Sequence, residues 1–299
     1  MVLKEIKSKK CLFVSIVGKP NAGKSTLMNT IIGQKVSIVS SKCQTTRRSI
    51  RGITEIGDTQ IVFIDTPGFF YPKSSLEKII EKNFKNSYTD ADVLLLLIDG
   101  NEKNFTREIR LLKKIQKDLE VDLVINKVDI ANKKNILEIA KKFSEFAIIK
   151  NIFMISALKN DGIQDIIKHL VDISRPSEWF FEPETHTDMP ITFRLAEITR
   201  EKLFKYLEKE LPYSIYVETE NFHETEKKAK IFQTVVVIKS SQKGIILGKT
   251  GNMIKKIKLE AIKDMQQILG KKIELKIFVK VREKWTEKKE HLHNAGIID

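Results

Sequence analysis

The octapeptide Gly18-Lys19-Pro20-Asn21-Ala22-Gly23-Lys24-Ser25 fits the pattern GxxxxGK[ST] and follows the apolar run Leu12 to Val17. The run reads as a buried strand, and Ser25 to Ile32, closed by Gly33, reads as a helix. A strand, a glycine turn and a helix N-terminus in succession favour one ligand class, because backbone N–H groups and the positive end of the helix converge on phosphate oxygens. The stretch Gly18 to Thr26 is therefore expected to wrap a nucleoside triphosphate. Its glycines allow the tight turn, and Lys24 places a point charge on the β- and γ-phosphates. The Ser25 hydroxyl suits the octahedral shell of Mg²⁺. A Gly-rich strand-to-helix turn also arises by chance, so companion motifs must decide.

The rest of the first half alternates strands with helices. Ile50 to Ile56 and Gln60 to Ile64 are strand-like runs joined by Gly57-Asp58 at hairpin spacing. Val93 to Ile98, Val121 to Ile125 and Ile152 to Ile155 are short apolar strands; Phe105 to Ile115, Asn135 to Phe146 and Asp161 to Ile173 carry helical periods. Gln34 to Arg48 is polar without periodicity and reads as a mobile segment. Such alternation implies a mainly parallel, doubly wound sheet with ligands at the carboxyl ends of its strands.

Three motifs fall at those ends. Asp65-Thr66-Pro67-Gly68, with Phe69 after it, offers a carboxylate for Mg²⁺ and a glycine whose N–H can approach a γ-phosphate. Asn126-Lys127-Val128-Asp129 selects a base: a fixed Asp129 carboxylate accepts two hydrogen bonds from guanine N1–H and its exocyclic amine, which adenine cannot supply. Asn126 can tie this loop to the phosphate loop, and the Lys127 stem can lie over the purine. Ser156-Ala157-Leu158 can meet guanine O6 with a backbone N–H.

Residues 175–190 hold three of the seven prolines and no apolar period, so a boundary is expected there: 1–176, a linker 177–190, and 191–299. The last part reads helix, strand, strand, helices, strand. Phe193 to Leu207 and Asn252 to Leu269 are helical, Ser214 to Thr219 and Ile231 to Ile238 are strands, and Ile273 to Val281 alternates strictly. The formal charge of +14 is concentrated here, Lys239 to Lys280 holding 11 lysines against 3 acids. Within it Gly248-Lys249-Thr250-Gly251 is a GxxG turn between two short helices, flanked by Lys243, Lys255, Lys256 and Lys258. Such a turn lets a nucleic-acid backbone come close while lysines neutralise phosphates, so an RNA groove is expected. The charge also allows a weak association with an anionic membrane surface. Two cysteines without metal-ligand spacing fit a reducing, cytosolic compartment, and no apolar run approaches the length of a membrane span. Trp179 beside Phe180 and Phe181 reads as a linker anchor; Trp285 is either an anchor or a stacking platform.

GKPNAGKS, DTPG, NKVD and SAL in this order resemble translation-factor-type GTPases. With Gln44-Thr45-Thr46-Arg47 and the lysine-rich C-terminal module, the whole chain is similar to the Era family, bacterial GTPases of small-ribosomal-subunit assembly. The resemblance implies an α/β fold, a doubly wound P-loop GTPase domain followed by a smaller α+β KH-type RNA-binding domain. It implies action with GTP/GDP, the small ribosomal subunit, and the single-stranded 3′ end of its ribosomal RNA; a monomer is expected. Thr46 is then the threonine that closes on Mg²⁺ in the GTP state, with Thr45 its near competitor. Phe69 stands where many signalling GTPases carry a glutamine that orients water, so unaided hydrolysis should be slow. In several similar GTPases the asparagine at the position of Asn21 binds an activating potassium ion; here Asn21 either does so or merely braces its loop. A tRNA-modification GTPase lacks the C-terminal module, and an RNA binder with a vestigial pocket should show damage at Lys24, Ser25 or Asp129, where none is present.

Overall fold

The computed structural model describes residues 9–40, 42, 46–68, 79, 91–115 and 119–298. Of these, residues within Met1–Ser37, Ser49–Tyr71 and Glu81–Asp188 form one compact unit, and those within Ile38–Arg48, Pro72–Ile80 and Met189–Asp299 a second.

In the first unit the strands are β1 (Lys10–Gly18), β2 (Ile50–Ile56), β3 (Thr59–Asp65), β4 (Val93–Asp99), β5 (Glu120–Asn126) and β6 (Ile149–Met154). Their order in the sheet is β2-β3-β1-β4-β5-β6, all parallel except β2, which pairs antiparallel with β3. A further two-residue strand, β7 (Arg175–Pro176), pairs antiparallel with β1. The central strands are buried on both faces, as continuous apolar runs such as Leu94 to Leu97 require. Helices α1 (Lys24–Ile32), α2 (Thr106–Leu112), α3 (Lys133–Ser144) and α4 (Ile163–Ile173) connect them. Leu94, Leu96, Leu123 and Ile125 from the sheet meet Ile136, Ile139 and Phe143 of α3 in one core cluster. All four sequence motifs emerge at carboxyl ends of strands β1, β3, β5 and β6.

Several expected bounds shift for local reasons. Helix α3 starts two residues early because Asn132 caps it, its side chain accepting from the Lys134 amide. Helix α2 is shorter than Phe105 to Ile115, although bonds from Lys113 and Ile115 back to Ile109 and Leu111 prolong its course as turns. Gln34 to Arg48 forms no helix or strand among its described residues, and Val36 and Ser37 are pinned by Asn29. Asn29 Oδ1 accepts from the Val36 and Ser37 amides, both at 2.9 Å, and its Nδ2 donates to Ser37 O at 2.7 Å.

The second unit contains α5 (Ile191–Tyr206), β8 (Tyr216–Glu224), β9 (Lys228–Val237), α6 (Ser240–Leu247), α7 (Asn252–Leu269), β10 (Lys272–Val281) and α8 (Lys289–Asn294). Its sheet runs β10-β9-β8, with β9 antiparallel to β8 and parallel to β10. Ser214 falls in a one-turn 3₁₀ helix ahead of β8, and β8 continues past Thr219 through a bulge to Asn221. Ile257, Ala261 and Met265 of α7 are buried against β9 and β10, with Ile254 and Ile268 half-buried at the ends of the same stripe. Trp285 is fully buried, edge-on to Tyr216 with centroids 4.7 Å apart, and its indole donates to Ser214 O at 2.9 Å. It is a core residue, not a stacking platform. Arg47 also belongs to this unit: its guanidinium donates to the carbonyls of Ile215 (2.7 Å), Tyr213 (3.0 Å) and Pro212 (3.2 Å). Burial, with Arg200 nearby, pushes its pKa down to about 9. No helix among the described residues is long and apolar enough to cross a membrane.

Candidate nucleotide pocket and nucleic-acid interface

The phosphate loop leaves β1 and enters α1 through two positive-φ residues, Asn21 (65°) and Gly23 (101°). Three of its contacts explain why the glycines cannot be replaced. A Cβ at Gly18 would lie 2.4 Å from Leu97 O on β4, one at Gly23 2.2 Å from the Asn126 amide nitrogen, and one at Gly68 2.7 Å from Pro20 N. So Gly68 of DTPG packs directly on Pro20 of the phosphate loop. Lys24 is buried, its ammonium donating to Gly18 O (3.1 Å) and Lys19 O (3.0 Å) inside the loop. Ser25 Oγ donates to Asp65 Oδ2 at 2.6 Å, and Ser37 Oγ donates to the same oxygen at 2.8 Å. Thr66 ties DTPG to β1 through Ile16 O at 2.8 Å.

Asn126 joins three loops. Its Nδ2 donates to Ala22 O of the phosphate loop (2.8 Å), and its Oδ1 accepts from the Ala157 amide (2.9 Å). Lys127 adopts a left-handed φ of 64°, and its ammonium pairs with Asp99 at the end of β4 (2.6 Å). The Val128 amide donates to Ile155 O (3.1 Å), and Asp129 is exposed. The amides of Ser156 and Ala157 donate to Asp161 O (3.0 Å) and Asn126 Oδ1 (2.9 Å), and Leu158 is 79% exposed.

Ser25 and Asp65 meet within the first unit, whereas Thr46 is buried and falls in the second. Its neighbour Arg47 is anchored on three carbonyls of that unit. Thr45 and Phe69 lie outside the described residues. Four residues were missed in the sequence. Asp99 could have been found, because it ends an apolar strand just before Gly100. Asn29, Thr30, whose hydroxyl donates to Ala157 O (2.9 Å), and Ser37 carry no spacing signal.

In the second unit the GxxG turn joins the 8-residue helix α6 to the 18-residue helix α7, so one of the two helices is not short. Gly248 (φ 71°), Thr250 (52°) and Gly251 (78°) make the turn. A Cβ at Gly248 would meet that of Met253 at 2.7 Å, whereas one at Gly251 would meet nothing within 4 Å. The first glycine serves packing and the second leaves an open approach. Lys243, Lys249, Lys255 and Lys256 are exposed and Lys258 is half-buried; the Lys256 ammonium lies 4.4 Å from the centroid of Tyr206. Trp179 is fixed in the first unit, its indole donating to Asp58 O (3.1 Å), with Phe180 edge-on to Phe13 at 4.9 Å.

Comparison with known proteins agrees with this geometry. The 50S ribosome-binding GTPase family matches residues 13–127, and the KH domain family matches residues 210–286. The chain is 40% identical over 288 residues to the GTPase Era of Rhizobium meliloti (strain 1021), covering 95% of this chain and 92% of that protein. It is 38% identical to the GTPase Era of Ruminiclostridium cellulolyticum, with 95% and 96% covered. Among solved structures, an Era bound to MgGDPNP and nucleotides 1506–1542 of 16S ribosomal RNA superposes with a TM-score of 0.90 at 34% identity, covering 97% of this chain and all of that one. A point variant of Aquifex aeolicus Era bound to GDP·AlF4⁻ superposes equally, at TM-score 0.90 and 34% identity. The chain belongs to the Era family of GTPases.

Proposed function

We propose that this chain is a GTP-hydrolysing switch that grips the single-stranded 3′ end of small-subunit ribosomal RNA and acts in assembly of the small ribosomal subunit. The observation that carries the reading is Asn126, which binds the phosphate loop to the base-reading loops in a chain that also exposes a GxxG turn among lysines. An Era solved with MgGDPNP and 16S ribosomal RNA supports both halves.

Ser25 Oγ and Asp65 Oδ2 place two hard oxygens together, a donor set that fits Mg²⁺, with Thr46 or Thr45 as the ligand the family resemblance implies. When bound, the ion offsets charge on the β- and γ-phosphate oxygens. The loop amides from Asn21 to Thr26 would cradle the phosphates, with Lys24 adding its charge and the Gly68 amide facing the γ-phosphate. Asp129 reads guanine. Replacing it, Asp129→Asn, should exchange GTP for xanthosine triphosphate, because the amide donates where the carboxylate accepted; a site of this kind discriminates by about 10⁴-fold. A variant that still prefers GTP in competition binding would refute the assignment.

The RNA half turns on Gly251. A side chain at Gly251 meets no protein atom within 4 Å, although the left-handed φ of 78° costs an aspartate about 1 kcal/mol, and Gly251→Asp places a carboxylate where the RNA backbone must pass. RNA affinity should fall roughly tenfold or more at fixed salt, with RNA-free GTP hydrolysis intact. In the wild type, affinity for the RNA should differ between GTP-analogue and GDP states, and RNA should change nucleotide affinity by the same factor. Equal affinities in all these states would remove the switch.

The cation that assists hydrolysis is the next question. The left-handed Asn21 stands at the leading edge of the phosphate loop, and its side-chain carbonyl is a hard oxygen suited to potassium. Turnover should be faster in potassium than in sodium chloride at matched ionic strength, and Asn21→Ala should abolish the difference. Equal wild-type rates in both salts would leave Asn21 as a brace of its own loop. We further propose a monomer that works in the cytoplasm and touches anionic membranes weakly through its charge of +14. Cosedimentation with anionic vesicles should then occur at low salt and vanish near physiological ionic strength; none at low salt would rule it out.

A further inference from the structure

The segment between β4 and α2, residues 99–108, reaches both ends of the pocket. At the base-reading end, Asp99 holds the Lys127 ammonium (2.6 Å) and the Gly100 amide donates to Asn126 O (2.8 Å). At the phosphate end, the Lys19 ammonium lies 3.0 Å from Glu102 Oε2 and 3.4 Å from Glu108 Oε1, and it donates to the Asn104 carbonyl. The segment is itself stiffened. Glu102 Oε1 accepts from the Lys103 (3.0 Å) and Asn104 (2.9 Å) amides, and Asn104 Oδ1 from the Thr106 amide (3.0 Å) and hydroxyl (2.7 Å). Burial works against the Glu102 carboxylate, but the Asn104 amide and Lys19 hold its pKa below the usual range.

Glu108 has the less comfortable place. It is 1% exposed, its Oε2 has no hydrogen-bond partner among the described residues, and burial pushes its carboxyl pKa up. A buried carboxyl with one oxygen unsatisfied destabilises a fold, and an apolar side chain of similar volume would remove that cost. The group that gains from its presence is Lys19. The main chain of Lys19 supports the loop in turn: its carbonyl accepts from Lys24 Nζ (3.0 Å) and from the Ala22 amide (3.3 Å). Asn21, two residues on, holds a left-handed φ of 65°, which an asparagine adopts more readily than other non-glycine residues.

Resting on the GTPase reading, we infer that Glu108, together with Glu102, is a positioning residue that clamps the leading edge of the phosphate loop through the Lys19 side chain. The clamp sets Asn21 and Lys24 in place before the transferring phosphoryl group develops charge, so it acts on turnover more than on ground-state binding.

The test compares full-length wild type with Glu108→Gln, Lys19→Met, the double variant and Lys19→Arg. Steady-state GTP hydrolysis and GDP affinity are measured for each. Either single change should lower kcat about tenfold, with a smaller loss of GDP affinity. The double variant should be no slower than either single one, and Lys19→Arg should restore most of the rate. Lys19→Met alters a side chain that is 18% exposed, so it probes the clamp even if Glu108→Gln fails to fold. Wild-type kcat in Lys19→Met, or losses that multiply in the double variant, would overturn the clamp while the GTPase reading stands. Absence of GTP turnover in the wild-type chain would overturn both.

Discussion

One side chain organises the first unit. The Asn126 carboxamide leaves the carboxyl end of β5 with a donor and an acceptor on one plane, and directs the first to Ala22 O and the second to the Ala157 amide. Few other side chains of that length offer both functions at once; an aspartate or a leucine would leave a buried backbone group unpaired. The bond fixes the phosphate loop relative to the base-reading loops, and the absence of a Cβ at Gly23 makes room for it. A doubly wound sheet brings these loops to one edge, but that alone does not set their spacing. The carboxamide fixes the remaining distance.

Around that link, polar side chains do the positioning and the apolar core keeps the platform rigid. Strands β4 and β5 are buried on both faces, so their carboxyl ends, Asp99 and Asn126, have little freedom to move. Asp99 passes that rigidity to Lys127, and Glu102 and Glu108 pass it to Lys19. Ser25, Ser37 and Asp65 form a second knot on the other side of the phosphate loop, where one carboxylate oxygen accepts from two hydroxyls. Preorganisation of this kind is what phosphoryl transfer requires, because there is little covalent chemistry for the protein to perform.

The second unit solves a different problem with a three-stranded sheet covered by helices. Its apolar stripe along α7 and the alternating face of β10 close a small core, which leaves the GxxG turn outside it. The two glycines of that turn differ in purpose: Gly248 lets Met253 pack, and Gly251 keeps a surface open. Arg47 falls in this unit and donates to three of its carbonyls, so a residue of the GTPase sequence is held by groups far along the chain.

The sequence by itself determined the class of fold, the order of motifs and the place of each at a strand's carboxyl end, because apolar period and glycine spacing are local properties that survive without tertiary context. Asp129 and the lysines Lys243, Lys249, Lys255 and Lys256, which the sequence offers as ligand-facing, are exposed in the fold. Tertiary structure alone decided that Asn126 spans three loops, that Glu108 is buried against Lys19, that Trp285 is core, and that Thr46 is packed in the second unit. These contacts join residues far apart along the chain, and a glutamate at one turn of a helix looks the same in sequence whether it faces water or a phosphate loop. Only the packing of α2 onto the sheet removes Glu108 from solvent and leaves Lys19 as its ion-pair partner, and that is decided by the whole fold.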